Sequence, residues 1–130
     1  MIKRIRGKVV AVMLKGKRIL LAREGKRTYF TLPGGGIDEG ETAESALRRE
    51  VKEETNCTIK NHRFLCAYLS RHRSPITHGA FIFFVDFKGN PKAGAEMVEA
   101  EFFTYNGAIK KGVSPSARFV LEECRKRKIL

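Results

Sequence analysis

The chain is poor in everything that would staple, anchor or subdivide it. Its 3 cysteines, Cys57, Cys66 and Cys124, are widely spaced and include no CxxC pair. An odd, scattered set argues against a disulfide framework and a cysteine zinc site, and suits a reducing cytoplasm. No apolar run approaches the ~18 residues of a membrane-spanning helix, so no membrane partner is expected. The opening MIKRIRGKVVAVML is basic and then apolar, but Lys15 follows at once and no small-residue cleavage site appears. It reads as a strand, not a signal peptide. Repeats, linkers and low-complexity segments are absent too. Residues 1–130 are therefore expected to form a single domain with a proper core.

Negative charge is the second scarcity. There are 14 Asp and Glu against 26 Lys and Arg, a formal net charge of +12. Half of those acidic residues lie between Asp38 and Glu54. An acidic pocket in a basic body suits a polyphosphate substrate, because metal ions bridge carboxylates to phosphates and the outer field draws in anions. Solubility or nucleic-acid contact are the alternatives that charge alone leaves open.

What the chain does have is concentrated in Gly34 to Cys57, GGGIDEGETAESALRREVKEETNC. A glycine-rich acidic loop leads into a helix expected over Thr42 to Thr55. Thr42 is its N-cap, Glu44 favours the positive end of the dipole, and Asn56 suits the left-handed position after the helix. At about 100° per residue, Ala43, Leu47 and Val51 form one apolar line. With Leu47 at zero, Glu54 falls at about −20° and Glu50 at about −60°, on the face a helix buries. Glu53, at about −120°, lies on its flank. Glu50, Glu53 and Glu54 are i, i+3 and i+4 neighbours and repel one another. Carboxylates turned toward a core are costly unless cations compensate them. Arg49, four residues before Glu53, is placed to serve only the flank, so a divalent metal or a solvated acidic face are the two readings of the wheel.

Loop and helix together match the signature G-x5-E-x7-R-E-U-x-E-E-x-G-U, where U is a bulky aliphatic residue. The matching residues are Gly35, Glu41, Arg49, Glu50, Val51, Glu53 and Glu54. Asn56 stands in the glycine slot and Cys57 in the last aliphatic slot; both departures leave the chemistry untouched. The stretch resembles the Nudix hydrolase family. The resemblance implies an α/β fold, an α/β/α sandwich with a mixed β-sheet between helices. The element order agrees with it.

Strands are expected over Lys8 to Leu14 and Arg18 to Arg23, with a tight turn at Lys15-Gly16-Lys17. Further strands are expected at Tyr29 to Leu32, around Phe64 to Leu69, over Gly79 to Phe87, and toward Tyr105 from Glu96. Ser114 and Pro115 open a last helix, with Ala117, Val120, Leu121 and Cys124 as its apolar stripe.

The family resemblance implies metal-dependent hydrolysis of a nucleoside diphosphate linked to another group X, with Mg²⁺ or Mn²⁺ holding the diphosphate. Glu50 and Glu54 are the primary ligand candidates, Glu53 a shared ligand or activator of the attacking water, and the Gly35 carbonyl a further ligand by analogy. Arg49 is placed to hold a glutamate and Glu41 to brace the loop. Glu96 and Glu99 are the candidates for a general base from a later loop. Arg71, His72 and Arg73 are candidates for touching substrate, and Phe30 either meets substrate or packs in the core. A nucleoside triphosphate or ADP-ribose is the expected substrate, with a monomer or homodimer as the assembly. The alternatives are an RNA 5′-end pyrophosphohydrolase and a non-catalytic nucleotide- or RNA-binding module.

Overall fold

The computed structural model describes residues 4–70 and 76–130, apart from the side chains of residues 4–6, 70 and 76–78. The elements run β1 (Arg4–Val12), β2 (Leu14–Lys15), β3 (Arg18–Glu24), β4 (Gly34–Gly36), α1 (Ala43–Thr55), β5 (Thr58–Ser70), β6 (Ile76–Lys88), β7 (Met97–Phe103), α2 (Tyr105–Lys111) and α3 (Pro115–Lys126). One sheet has the order β4-β1-β6-β5 and the other β2-β3-β7. β1 pairs with β6 in parallel and with β4 antiparallel, so the larger sheet is mixed.

The layering follows from β1. Its run from Val9 to Met13 is apolar on both faces, as a strand covered on both sides requires. Val9, Ala11 and Met13 pack with Ala46, Leu47 and Val51 of α1. Val10 and Val12 pack the other way, with Ala117, Val120, Leu121 and Cys124 of α3. Leu47 and Val51 are fully buried, each stabilising the fold by about 1.5–3 kcal/mol through burial. The α/β/α sandwich is thus held by one strand's alternation.

The expected mixed sheet between helices is β4-β1-β6-β5, and a second, antiparallel sheet, β2-β3-β7, accompanies it. Two expectations change. The segment Tyr29 to Leu32 forms no ladder: Phe30 and Thr31 make isolated bridges to Val113 and Ala22. Pro33, which has no N–H to donate, instead accepts a bond from Ala11 at its carbonyl (2.8 Å), and the strand begins one residue later. The strand expected to run to Tyr105 stops at Phe103, because Thr104 caps α2 by accepting from the Gly107 N–H (3.1 Å). Among the described residues no helix is long and apolar enough to cross a membrane.

Candidate active site

Helix α1 begins and ends where its sequence places the caps. The Thr42 hydroxyl accepts from the Ser45 N–H (3.0 Å) and Ser45 Oγ accepts from the Thr42 N–H (3.0 Å), a reciprocal cap of which the Thr half contributes about 1 kcal/mol. Asn56 closes the helix in the left-handed conformation, φ 62°. The Asn56 side-chain amide donates to the Lys92 carbonyl (2.9 Å). Lys92 and Gly94 in turn donate their N–H groups to the carbonyls of Thr55 and Glu54 (2.9 and 3.0 Å). The last carbonyls of the helix are therefore satisfied by the loop that leads to Glu96.

The inner face carries the acids. Glu54 is 5% exposed, and its Oε1 accepts the Gly34 N–H at 2.7 Å. The Glu50 side chain is 14% exposed. Gly35 lies directly over it: a Cβ there would sit 2.5 Å from the Glu50 carboxyl carbon. At Gly34 a Cβ would run into the Val9 carbonyl oxygen instead. At Gly35 the missing side chain leaves room for the Glu50 carboxylate, and at Gly34 it lets the loop lie against β1.

Burial pushes the Glu54 carboxyl up to about 8, against the opposing pull of the Gly34 N–H and with help from the charges of Glu50, Glu96 and Glu24. Glu50 is raised as well, first by burial, while its bond to Arg49 opposes the shift and Glu53 and Glu96 add to it. These acids border a recess of about 370 Å³, lined also by Gly34 to Gly36, Thr31 and Ser116, a volume suited to a small ligand. Lys8 is the basic side chain in its wall.

Arg49 ties the loop to the helix. It holds both oxygens of Glu41 (2.8 and 2.9 Å) and donates to the Gly36 carbonyl (3.0 Å). Glu41 also accepts from the Asp38 N–H (2.8 Å). The Arg49 hydrogen bonds and the Asp38 N–H hold the Glu41 carboxyl down at about 2. Contrary to the expectation that it serves only the flank, Arg49 also reaches Glu50 at 2.8 Å, closer than its 3.4 Å approach to Glu53.

The other candidates separate. Glu96 lines the recess. Glu99 does not: its place opposite Arg23 in the β3–β7 ladder gives it an ion pair of 2.6 Å there. Glu53 lies on the flank, 49% exposed, outside the recess lining. Phe30 is 1% exposed in the core and packs edge-on to Phe103, ring centroids 5.0 Å apart, so the core role replaces the substrate role for it. Arg71, His72 and Arg73 lie outside the described residues. The sequence singles out none of Glu24, Lys8, Thr31 and Ser116; they stand on four separate segments, and no local spacing announces their meeting.

Among the described residues no three His, Cys, Asp or Glu side chains already converge as a complete cation cage. The donor set nonetheless fits a hard divalent ion. Two carboxylates, both made reluctant to ionise by burial and by their neighbours' charge, share a recess with two more, and such ions take a few carboxylates plus phosphate and water oxygens. The space at Gly35 that a Cβ would fill is the space Glu50 uses. Gly35→Ala is accordingly expected to displace the Glu50 carboxylate, a flexible end that can move, and to weaken cation binding while the thermal melt stays close to wild type. Gly34→Ala, which meets rigid backbone, should cost about 2 kcal/mol or more of stability. Calorimetric Mg²⁺ titration and thermal melts of both variants check this; equal melting loss in the two would refute it.

Residues 4–122 match the NUDIX domain family, and the chain belongs to that family. It is 38% identical over 107 residues to an ADP-ribose pyrophosphatase of Methanocaldococcus jannaschii, covering 78% of this chain and 63% of that protein. It is 31% identical over 106 residues to an NAD-capped RNA hydrolase NudC of Pectobacterium atrosepticum, covering 75% of this chain and 38% of that protein. The chain thus spans less than two thirds of the length of either. Among solved structures, a MutT NUDIX hydrolase from Burkholderia pseudomallei superposes with a TM-score of 0.83 at 22% identity, covering 92% of this chain and 98% of that one. The E. coli ORF135 protein does so with a TM-score of 0.83 at 21% identity, covering 96% and 91%. At such identities the likeness shows the fold alone.

Proposed function

We propose that this protein hydrolyses the diphosphate linkage of a nucleoside diphosphate joined to a second group, with Mg²⁺ or Mn²⁺ as the cofactor. The observation that carries this reading is the pair of inward carboxylates, buried Glu54 and half-buried Glu50, beneath a glycine loop in a recess shared with Glu24 and Glu96. A solvated acidic face would not be buried in this way. Glu50 and Glu54 would hold the ion, with Glu53 and the Gly35 carbonyl as further ligand candidates. A bound divalent ion supplies Lewis-acid neutralisation of the diphosphate charge. The protein's share is positioning. Arg49 orients Glu50 and clamps the loop through Glu41, the glycine backbone admits the diphosphate, and Glu96 accepts the proton of the attacking water.

ADP-ribose is the favoured substrate over nucleoside triphosphates. The relatives named an ADP-ribose pyrophosphatase and an NAD-capped RNA hydrolase point to one chemical unit, a diphosphate between two ribosyl groups. An RNA 5′-end activity is the second reading. A Photobacterium profundum RNA pyrophosphohydrolase, 44% identical over 55 residues, supports it together with the basic surface.

ADP-ribose, a nucleoside triphosphate and 5′-triphosphate RNA, each assayed with Mg²⁺ and with Mn²⁺, test the reading. AMP and ribose 5-phosphate should form from ADP-ribose, production should stop with excess EDTA, and metal should restore it. Full turnover in chelator would sink the mechanism. Failure of every substrate with metal present would leave the binding module.

A further inference from the structure

Along the same face of β1, two residues beyond Val10, the sheet bears a second concave region. Two adjoining hollows of about 240 and 340 Å³ share Arg63, Phe84 and Asp86; Leu14 and Ile129 bound the first, and Asn61 the second. The β5–β6 register sets Arg63 opposite Phe84 and Asn61 opposite Asp86. The exposed Arg63 guanidinium lies over the Phe84 ring, 5.1 Å from its centroid. A planar cation backed by an aromatic ring, with an amide and a carboxylate alongside, matches what an unpaired nucleobase stacks on and hydrogen-bonds to.

A positive rim adjoins it. Lys17 Nζ donates to the Lys128 carbonyl at 2.9 Å, joining the β2–β3 turn to the turn that follows α3. Lys128 takes φ 59°, so Ile129 folds back, its N–H donating to the Cys124 carbonyl (2.8 Å), and enters the first hollow. Lys17 and Lys128 are left exposed there, whereas Lys15 and Arg18, a cross-strand pair, point to the other face, Lys15 Nζ lying 5.9 Å from the Phe102 ring centroid. Glu123 engages Lys126 and Arg127 at 3.7 and 3.8 Å; Lys17 and Lys128 have no ion pair among the described residues.

We propose that this face binds a single-stranded polynucleotide, Lys17 and Lys128 neutralising phosphates and Arg63 stacking a base. Duplexes hide the base faces this requires. A lipid surface would bury Asn61 and Asp86 without partners, which is costly. The inference does not depend on the hydrolysis reading.

The test is fluorescence anisotropy with a short 5′-hydroxyl oligoadenylate, in ribo and deoxy forms, titrated across salt concentrations. This probe offers the carboxylate recess no diphosphate. Affinity should fall linearly with salt on logarithmic axes, and K17Q/K128Q should reduce the slope by about 1.4, at about 0.7 per cation lost. Arg63→Lys keeps the charge, so it should keep the slope while weakening binding about tenfold or more. ADP-ribose turnover should be unchanged in Arg63→Lys. Binding of either polymer, or both, supports the site and names its source. Absence of binding at low salt, an Arg63→Lys variant equal to wild type, equal affinity for a duplex, or tighter binding to phosphatidylserine vesicles would each overturn it. A wild type without hydrolysis but with this binding would separate the two readings.

Discussion

Glu54→Gln is expected to lower turnover of ADP-ribose by about 10²–10³-fold or more, the effect of removing one fixed electrostatic group from a reaction site. The substitution keeps shape and an oxygen for the Gly34 N–H, which bonds Glu54 at 2.7 Å, so the loop should stay seated while the charge is lost. Glu50→Gln should be comparable, since Glu50 is the second acid of the recess. Glu44→Gln is the internal control. It lies on the same helix, half-exposed and 3.2 Å from Arg48, in the first turn where the dipole favours its charge, and its loss should leave turnover nearly intact. Measured kcat/KM for the three variants decides the matter. Full activity in Glu54→Gln, or equal loss in Glu44→Gln, would show that α1 presents a different face to the substrate.

The second large effect is on stability in the absence of metal. Glu54 has a native carboxyl near 8 against an ordinary value of 4.5. Between these values the unfolded chain ionises and the native protein holds its proton, so the native state binds more protons. Stability therefore falls as pH rises from about 4.5 to about 8, then levels off. The raised Glu50 acts in the same direction. Glu41, held near 2, acts oppositely: its contribution is present above 4.5 and is lost as pH falls toward 2. With EDTA present, the melting temperature should drop by several degrees or more between about pH 5 and pH 8, because each pH step of one across that window costs up to ~1.4 kcal/mol. Glu54→Gln should flatten that slope and, at pH 8, melt no lower than the metal-free wild type. Mg²⁺ should recover wild-type stability at pH 8, because it binds the ionised native state alone. Thermal melts across that range, in EDTA and in Mg²⁺, provide the measurement. Parallel pH profiles for wild type and Glu54→Gln would refute it.

Much of α1 was legible because its determinants are local. Thr42 caps it, Asn56 ends it, and a period of 3.6 residues turns Leu47, Val51 and Glu54 to one side whatever packs there. That Glu54 is buried beside an apolar line, and Glu53 is not, follows from the same period. The loop was legible through the spacing of its glycines and Glu41. The distinction between Glu96 and Glu99 was not. Both precede or enter one strand, and only the β3–β7 register, which sets Glu99 opposite Arg23, separates an acid of the recess from one in an ion pair. Arg49 shows the limit even within a helix. Residues i and i+1 do not face each other, yet its long side chain bends to Glu50 because Glu41 and the Gly36 carbonyl hold its far end.

The sequence by itself thus determined the acidic helix, its caps, its inward carboxylates and the strand whose alternation divides the two cores. Only the tertiary structure decided what meets those carboxylates. Glu24 ends β3, Lys8 lies on β1, Glu96 follows a loop pinned to the end of α1, and Ser116 stands in the first turn of α3. It likewise decided that Phe30 fills core and that Lys17 reaches the Lys128 carbonyl. Periodicity reports the side of an element that a residue occupies. Convergence from distant segments depends on strand register and layer packing, which are set by long-range contacts that no local window contains.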